Sequence, residues 1–571
     1  MRKKIIYIIS FLFIVFCHSQ VTNTENYVQE KTYLEPVEVS SSNAKQINIV
    51  KYLDGLGRAK QTVMTKASPL GNDIITHFEY DTYGRQAKNY LPIPQIETKN
   101  GGYYEAPLNN VNSVYGAEKI YEEKIFDISP LNRVAGITPV GNDWMYKPAA
   151  KMYSLNKNNE VKKYTATFNY TTFQASISLS GFYEAKQLYK NSTTDEDGNE
   201  IIEFKNQEGQ IILARKTLST SQNVDTYYVY NDYNQLAFVI TPLASVSTQI
   251  NKDILDNTCY QYKYDNRNRL VEKKVPGKGW EYMVYDKQDR IVLAQDTLLG
   301  STTNNFTKKG WIFTKYDLLG RIVYTGFFAN TATRAAMQTA VNNMTANPEN
   351  NEIRSTTPFS QNGLDIYYTK SAFPTGSMTI LSVNYYDTYP IGSPMIPANI
   401  LGQNVIAGIQ NASVNTKSMA VASYTKNIDD DNWTKSYTWY DSKGRIIGSH
   451  SINHLGGTTR GESLLDFAGI VKESYVYHKR TANDPEVKVK ETFEYDHQNR
   501  LISHKHKVNN YIEEPLAIQN YNELGQLVNK KTGRQDTDNY EPLQSIDYKY
   551  NIRGWLTDIN DPDNLGDDFL Q

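Results

Sequence analysis

One short pattern recurs along the chain and constrains it more than any other feature: a tyrosine, an aspartate, two variable residues, a glycine and an arginine. It stands intact at Tyr80-Asp81-Thr82-Tyr83-Gly84-Arg85, Tyr316-Asp317-Leu318-Leu319-Gly320-Arg321 and Tyr440-Asp441-Ser442-Lys443-Gly444-Arg445. Tyr52-Leu53-Asp54-Gly55-Leu56-Gly57-Arg58 is a variant with one extra residue. Looser copies begin at Phe204 (FKNQEGQI), Tyr230 (YNDYNQL), Tyr264 (YDNRNRL), Tyr285 (YDKQDRI), Tyr495 (YDHQNRL), Tyr521 (YNELGQL) and Tyr550 (YNIRGWL). Neighbouring starts lie 21 residues apart (264 to 285), 31 (285 to 316), 26 (495 to 521) and 29 (521 to 550). That interval fits two strands and their connections, so the chain reads as a repeat array.

The chemistry of the unit is that of a hairpin turn. Residues before it alternate: Tyr260, Tyr262 and Tyr264 share one face, with Gln261 and Lys263 on the other. Ile546, Tyr548 and Tyr550 do the same around Asp547 and Lys549. A period of two is that of a strand. The Asp or Asn after the Tyr bonds its own backbone two residues on and opens a turn. The Gly four residues after the Tyr supplies a positive φ at little steric cost. Where Gly is missing, Asn268, Asp289 or Asn499 replaces it, and Asn and Asp tolerate that region best among other residues. Apolar pairs such as Ile322-Val323 and Ile446-Ile447 begin the return strand. The Arg is expected to pair with the turn Asp or with a carbonyl of the next strand; a ladder of Arg binding an anionic ligand is the alternative.

Tyrosine is abundant for the same reason. The chain has 44 Tyr against 19 Phe and 6 Trp, and a Tyr ring packs on a half-buried sheet while its hydroxyl stays hydrated. A net charge of −2 gives no global field for nucleic acid or an anionic membrane surface. The only cysteines are Cys17 and Cys259. With Cys17 in a leader, no internal disulfide and no cysteine-based zinc site is expected.

That leader is a secretory signal pattern. Arg2, Lys3 and Lys4 precede an apolar run from Ile5 to Phe16, and Cys17-His18-Ser19 ends in a small residue, placing cleavage after Ser19. The run is too short to span a bilayer, so no transmembrane span is expected after cleavage. The expected location is secreted or at the cell surface.

Three groups are weighed as metal sites. Asp195-Glu196-Asp197-Gly198-Asn199-Glu200 crowds oxygen donors as calcium requires, but lacks EF-hand spacing and falls where a turn is expected. Asp429-Asp430-Asp431 reads as a solvated turn. His504 and His506 share a strand face with His497 across the preceding turn, a zinc-like set without an evident acidic second shell. No Gly-x-Ser-x-Gly elbow, His-Glu-x-x-His, P-loop or dinucleotide fingerprint occurs, so the expectation is no enzyme and no cofactor.

The repeated motif resembles that of the Rhs/YD-repeat proteins, over most of the chain. The segments Thr32-Tyr33-Leu34-Glu35-Pro36, Tyr52 to Arg58 and Tyr90-Leu91-Pro92-Ile93-Pro94 resemble the N-terminal domain of such proteins of the type found in Bacteroidetes. Gly198-Asn199, Phe204 to Gly209 and Asn384-Tyr385-Tyr386-Asp387-Thr388-Tyr389-Pro390 are similar to that group too. The resemblance implies an all-β fold, with YD hairpins forming a long curved or spiralling sheet, a partial shell around a C-terminal toxin. No recognisable core or toxin follows Arg553-Gly554-Trp555-Leu556-Thr557 before Gly566-Asp567-Asp568-Phe569-Leu570-Gln571. The expectation is an exported scaffold that encapsulates or presents a C-terminal effector, encoded downstream; the alternative is a cell-surface module binding glycans or proteins.

The expected organisation is a signal peptide (1–19), a flexible lead-in (20–45), an irregular N-terminal β domain (46–190), a repeat array (191–325), an insertion (326–435) and a second array (436–571). The insertion holds the expected short helix near Thr333 to Asn343, with Thr333 as N-cap of an Ala-rich stretch.

Overall fold

Alternation along the strands builds nearly everything that follows. The structure, a computed structural model, describes residues 21–38, 44–219, 222–533 and 541–561. The leader, Ser40 to Asn43 and residues 562–571 lie outside the described residues. The protein is all-β, with one antiparallel sheet of twenty-seven strands among the described residues. That sheet starts at Lys88–Tyr90, runs through Tyr121–Phe126, Val134–Thr138, Ala149–Leu155 and Tyr189–Thr194, and ends at Leu556–Ile559. Strand Gly310–Tyr316 shows why it holds: Trp311, Phe313 and Lys315 are buried on one face, with Ile312, Thr314 and Tyr316 on the other.

The sheet wraps round until its last strand returns to its first. The registered pairings from Lys88–Tyr90 to Leu556–Ile559 are antiparallel. With an odd number of alternating strands, the first and last run in the same direction, so an antiparallel ladder cannot close between them. Among the described residues no residue-by-residue register joins them. Side chains tie the seam: Trp144 and Trp555 meet edge to face at 6.1 Å, and Arg553 Nη2 donates to Glu196 Oε1 at 3.1 Å.

A separate five-stranded sheet precedes the large one, in the order Asn26–Tyr33, Gln46–Leu53, Ala59–Met64, Ile74–His77, Ile93–Pro94. This corrects the flexible lead-in expected over 20–45. Residues Asn26–Tyr33 pair in full register with Gln46–Leu53, their polar alternation being that of an edge strand with one solvated face. The expected boundaries at 190/191 and 325/326 are likewise not breaks in the sheet. Lys88–Tyr90, Tyr121–Phe126, Val134–Thr138 and Ala149–Leu155 already belong to it, and Met378–Tyr386 and Ala420–Lys426 carry it through the insertion.

Two large cores lie on the sheet, beside a smaller one of Ile400, Trp439 and Ile447. The hairpin Lys162–Asn169 and Gln174–Phe182 covers Phe204, Leu213, Tyr227 and Phe238. The insertion covers Trp311, Phe313, Tyr324, Tyr385 and Tyr424 with helix Arg334–Asn342 and the hairpin Arg354–Gln361 and Leu364–Tyr368. Thr333 caps that helix, its Oγ1 accepting from the Ala336 N–H at 3.3 Å.

The turn glycines allow a direct check. Gly320 sits at φ +78° and Gly444 at φ +77°. Replacing either with Val forces a β-branched residue into the left-handed region and is expected to cost roughly 1 kcal/mol or more. Unchanged urea midpoints in both variants would contradict this. No helix among the described residues is long and apolar enough to cross a membrane.

Candidate functional site

The recurrent turn is the most elaborate piece of chemistry in the chain, and each motif residue has a definite part. In the Asp317 turn, the Asp317 N–H donates to Arg321 O at 3.0 Å and the Gly320 N–H to Asp317 O at 3.1 Å. The second bond closes a tight turn; the positive φ of Gly320 and the register shift at Lys315/Tyr316 make the bulge that returns the chain. Asp317 Oδ1 accepts from the N–H groups of Leu319 and Arg321, both at 2.9 Å, and Oδ2 accepts from Arg321 Nε at 2.6 Å. One carboxylate thus ties three donors of its own turn.

The same arrangement recurs at Asp54 with Gly57 and Arg58, at Asp81 with Gly84 and Arg85, and at Asp441 with Gly444 and Arg445. Asn268, Asp289 and Asn499 take the left-handed position at φ 62°, 62° and 61°. The Arg58 backbone N–H, joined by its guanidinium, holds the Asp54 carboxyl below the usual carboxylate range. Burial opposes ionisation of Asp441, but the Arg445 N–H and guanidinium outweigh it and the carboxyl again lies low.

The tyrosine does something that no single copy of the motif reveals. Its hydroxyl reaches back to the preceding turn and donates to the carbonyl of the residue that follows the turn's last position. Tyr264 bonds Leu236 O at 3.0 Å, Tyr285 bonds Leu270 O at 2.6 Å, and Tyr316 bonds Ile291 O at 2.8 Å. Tyr495, Tyr521 and Tyr550 bond Val471, Leu501 and Leu527 at 3.0, 2.7 and 2.9 Å. The arginine works forward in the same sense: Arg269 lies 4.8 Å from the Tyr285 ring, Arg290 4.7 Å from Tyr316, and Arg321 4.4 Å from Tyr386. Neighbouring hairpins are therefore clamped through tyrosine hydroxyls, and at Tyr285, Tyr316 and Tyr386 through a cation–π contact as well. The arginines are engaged within the wall, as the structural reading of the sequence expects. Arg321 also grips Asp387 through Nη1 at 3.1 Å and Nη2 at 2.7 Å.

Sequence reasoning missed turns that lack both Tyr and Arg. Asp466 accepts from the Ile470 N–H at 2.9 Å with Gly469 at φ +91°, and Asn453 caps the turn to Gly457. The available signal was an Asp or Asn three residues before a Gly.

A second polar centre anchors the insertion. Lys315 and Glu352 are both fully buried, 2.8 Å apart. Glu352 Oε1 also accepts from Tyr324 Oη at 2.8 Å and the Ala372 N–H at 3.0 Å; Oε2 accepts from Thr369 Oγ1 at 2.6 Å and the Ser371 N–H at 3.0 Å. Lys315 Nζ donates as well to Ala372 O at 2.8 Å. Burial lowers the Lys315 pKa against the pull of Glu352, and burial raises the Tyr324 hydroxyl well above its usual range.

The metal candidates are placed as follows. Asp195 caps a turn through the N–H groups of Asp197 and Asn199, while Glu196 is held by Arg553. Asp430 caps Asn432, and Asp431 pairs with Lys426. His504 stacks on Phe493 at 4.4 Å and lies 3.3 Å from Glu491, His506 lies 3.6 Å from Glu514, and His497 Nε2 meets Lys66 O at 2.7 Å. Among the described residues no three His, Cys, Asp or Glu side chains gather as a metal site.

A cleft of about 800 Å³ lies at the seam, lined by Met64, Ile74, Leu91, Tyr115, Trp144 and Arg553 among others. There the Arg553 guanidinium lies against both Trp144, at 4.2 Å, and Trp555, at 4.9 Å.

Comparison with known proteins finds one matching family model. Residues 24–156 match DUF6443, a domain of unknown function. No curated protein matches the chain. Among solved structures, a TcdB2–TccC3–Cdc42 crystal structure overlaps 93% of this chain and 24% of its own, with 10% identity and a TM-score of 0.42. A TcdB2–TccC3–TEV crystal structure overlaps 96% and 25%, with 10% identity and TM-score 0.42. A Photorhabdus luminescens Tc holotoxin pore with a mutated TccC3 overlaps 93% and 24%, with 10% identity and TM-score 0.40. The chain thus spans about a quarter of the length of each.

Proposed function

We propose that this protein is an exported scaffold of the Rhs/YD-repeat kind, whose wrapped sheet encapsulates or presents a C-terminal effector outside the cell or at its surface. The observation that carries this reading is the single ladder of twenty-seven strands, returning on itself with turns clamped one to the next. Such a wall encloses volume with little material, and its conspicuous polar groups serve cohesion. The reading assigns the chain no catalysis and no cofactor. Export follows from the basic and apolar leader.

The test is expression of the full chain in a Gram-negative host, with a small folded reporter fused after Gln571. Recovery outside the cytoplasm with a new N-terminus after Ser19, and a reporter resistant to protease while the sheet is intact, is the expected result. A chain retained in the cytoplasm overturns export. A reporter digested as fast as the free one overturns encapsulation.

One observation favours a second reading, a surface module for glycans. Trp555 is 56% exposed beside the seam cleft and Trp144, and exposed aromatic rings are platforms for the apolar faces of sugars. Binding on a glycan array that Trp555→Ala abolishes would support it.

A further inference from the structure

The face of the sheet that carries the insertion does not stay covered. Cross-strand partners share a face, so the face is followed by register from Tyr437 to His450, Arg460, Tyr477 and Lys488. Tyr437 is 2% exposed, within the core under the insertion. His450, Arg460 and Tyr477 are half-buried and Lys488 is exposed. From Val471–His478 to Leu501–Val508, Ser503 is the one buried residue on this face. The short pair Asn399–Ile400 and Gln403–Asn404 reaches Thr458–Leu465; among the described residues no helix or other sheet makes a comparable contact with Val471–His478, Val487–Tyr495 or Leu501–Val508.

This open face is cationic and aromatic. Tyr475 and Tyr477 lie parallel, 6.3 Å apart. Lys488 stands 5.0 and 5.5 Å from their ring centroids, Lys490 5.7 Å from Tyr475, and Arg460 4.1 Å from Tyr477. Glu473 lies 3.5 Å from Lys490, and Glu462 takes Arg460 at 2.8 Å. Among the described residues neither Lys488 nor Lys507 has a carboxylate partner. Lys490 is directly opposite Lys507 in the register, and like charges so placed repel. A sheet face with opposed lysines and no cover has an electrostatic imbalance that an anionic partner relieves.

We propose that this face, centred on Tyr475, Tyr477, Lys488, Lys490 and Lys507, docks an extended acidic segment of a partner polypeptide. An extended chain presents alternate side chains about 6.8 Å apart, the interval between Lys488 and Lys490 along their strand. Carboxylates at alternate positions meet the lysines, and the tyrosine rings pack against the stems between. This goes beyond the scaffold reading, because it holds whatever the protein carries.

The test is fluorescence anisotropy of a labelled alternating Glu-Thr peptide with the full chain. Binding that weakens as salt rises, and that K490E/K507E weakens by about tenfold or more, is expected. K490Q/K507Q, which removes charge without adding repulsion, should fall between. Both variants should keep the parent melting temperature, so that lost binding is not lost folding. No binding to the parent chain overturns the proposal, as does binding unaffected by K490E/K507E. Equal or tighter binding of heparin or single-stranded DNA at the same lysines also overturns it, marking a general polyanion surface.

Discussion

Glu352→Ala is expected to lower stability by about 3–5 kcal/mol, the cost of leaving one partner of a buried ion pair alone. The substitution strands the Lys315 ammonium, which has no exposed surface. It also removes the acceptor for the Tyr324 hydroxyl, the Thr369 hydroxyl and the N–H groups of Ser371 and Ala372. Urea unfolding followed by tryptophan fluorescence reads the change, because Trp311 and Trp433 lie in the same core. The double variant K315M/E352L should recover the part of the loss that comes from the stranded ammonium, while the donors that Glu352 accepted stay without it. A single variant as stable as the parent would show that the centre does not anchor the insertion.

Asp286→Ala is expected to cost about 3 kcal/mol, because it breaks the most deeply buried of the arginine-paired turns. The Asp286 side chain is fully buried and Arg290 is 13% exposed. Oδ1 accepts from the N–H groups of Gln288 and Arg290 at 2.9 and 3.0 Å, and Oδ2 from Arg290 Nε at 2.8 Å. The loss also travels along the sheet. Arg290 lies against the Tyr316 ring and donates to Asn351 Oδ1 at 2.9 Å, so the variant loosens the next hairpin and the insertion. Asp286→Asn keeps the Oδ1 acceptor and should cost less. Hydrogen exchange at the Gln288 and Arg290 amides, with the urea midpoint, checks both; protection equal to the parent in Asp286→Ala would contradict the assignment.

These two centres differ in how visible they are from the chain alone. The turn is local: Asp, Gly and Arg lie within five residues, and the left-handed positions of Asn268, Asp289 and Asn499 follow from residue type. The Thr333-capped helix is local as well. Lys315, by contrast, alternates with Trp311 and Phe313 on a strand, where a lone lysine ordinarily marks an edge or a wet face. Its partner is thirty-seven residues away, across the helix, and only tertiary packing brings them together. The tyrosine clamp was hidden for the same reason. Tyr316 bonds Ile291 O, a carbonyl that belongs to the preceding repeat, so the motif is completed only between copies. Asn26–Tyr33 reads as a lead-in from sequence because an edge strand need bury only one face. Met378–Tyr386 and Ala420–Lys426 read as insertion because they lack the turn motif, although their alternation is that of sheet strands.

One clamped sheet carries the chain round until its last repeats meet its first strands. Asn72, in the five-stranded sheet beside the first strands, meets Glu523 of the last repeats at that junction, 451 residues apart in sequence, with Asn72 Nδ2 donating to Glu523 Oε2 at 3.1 Å. Arg500 Nη1 reaches Ala67 O at 2.6 Å beside them. Spin labels on cysteines replacing Asn72 and Glu523, measured by double electron–electron resonance, report the junction directly; Cys259 is fully buried and stays unlabelled. A single narrow distribution at short distance is expected. A broad or long distribution, as an open or separately folded end would give, would contradict it.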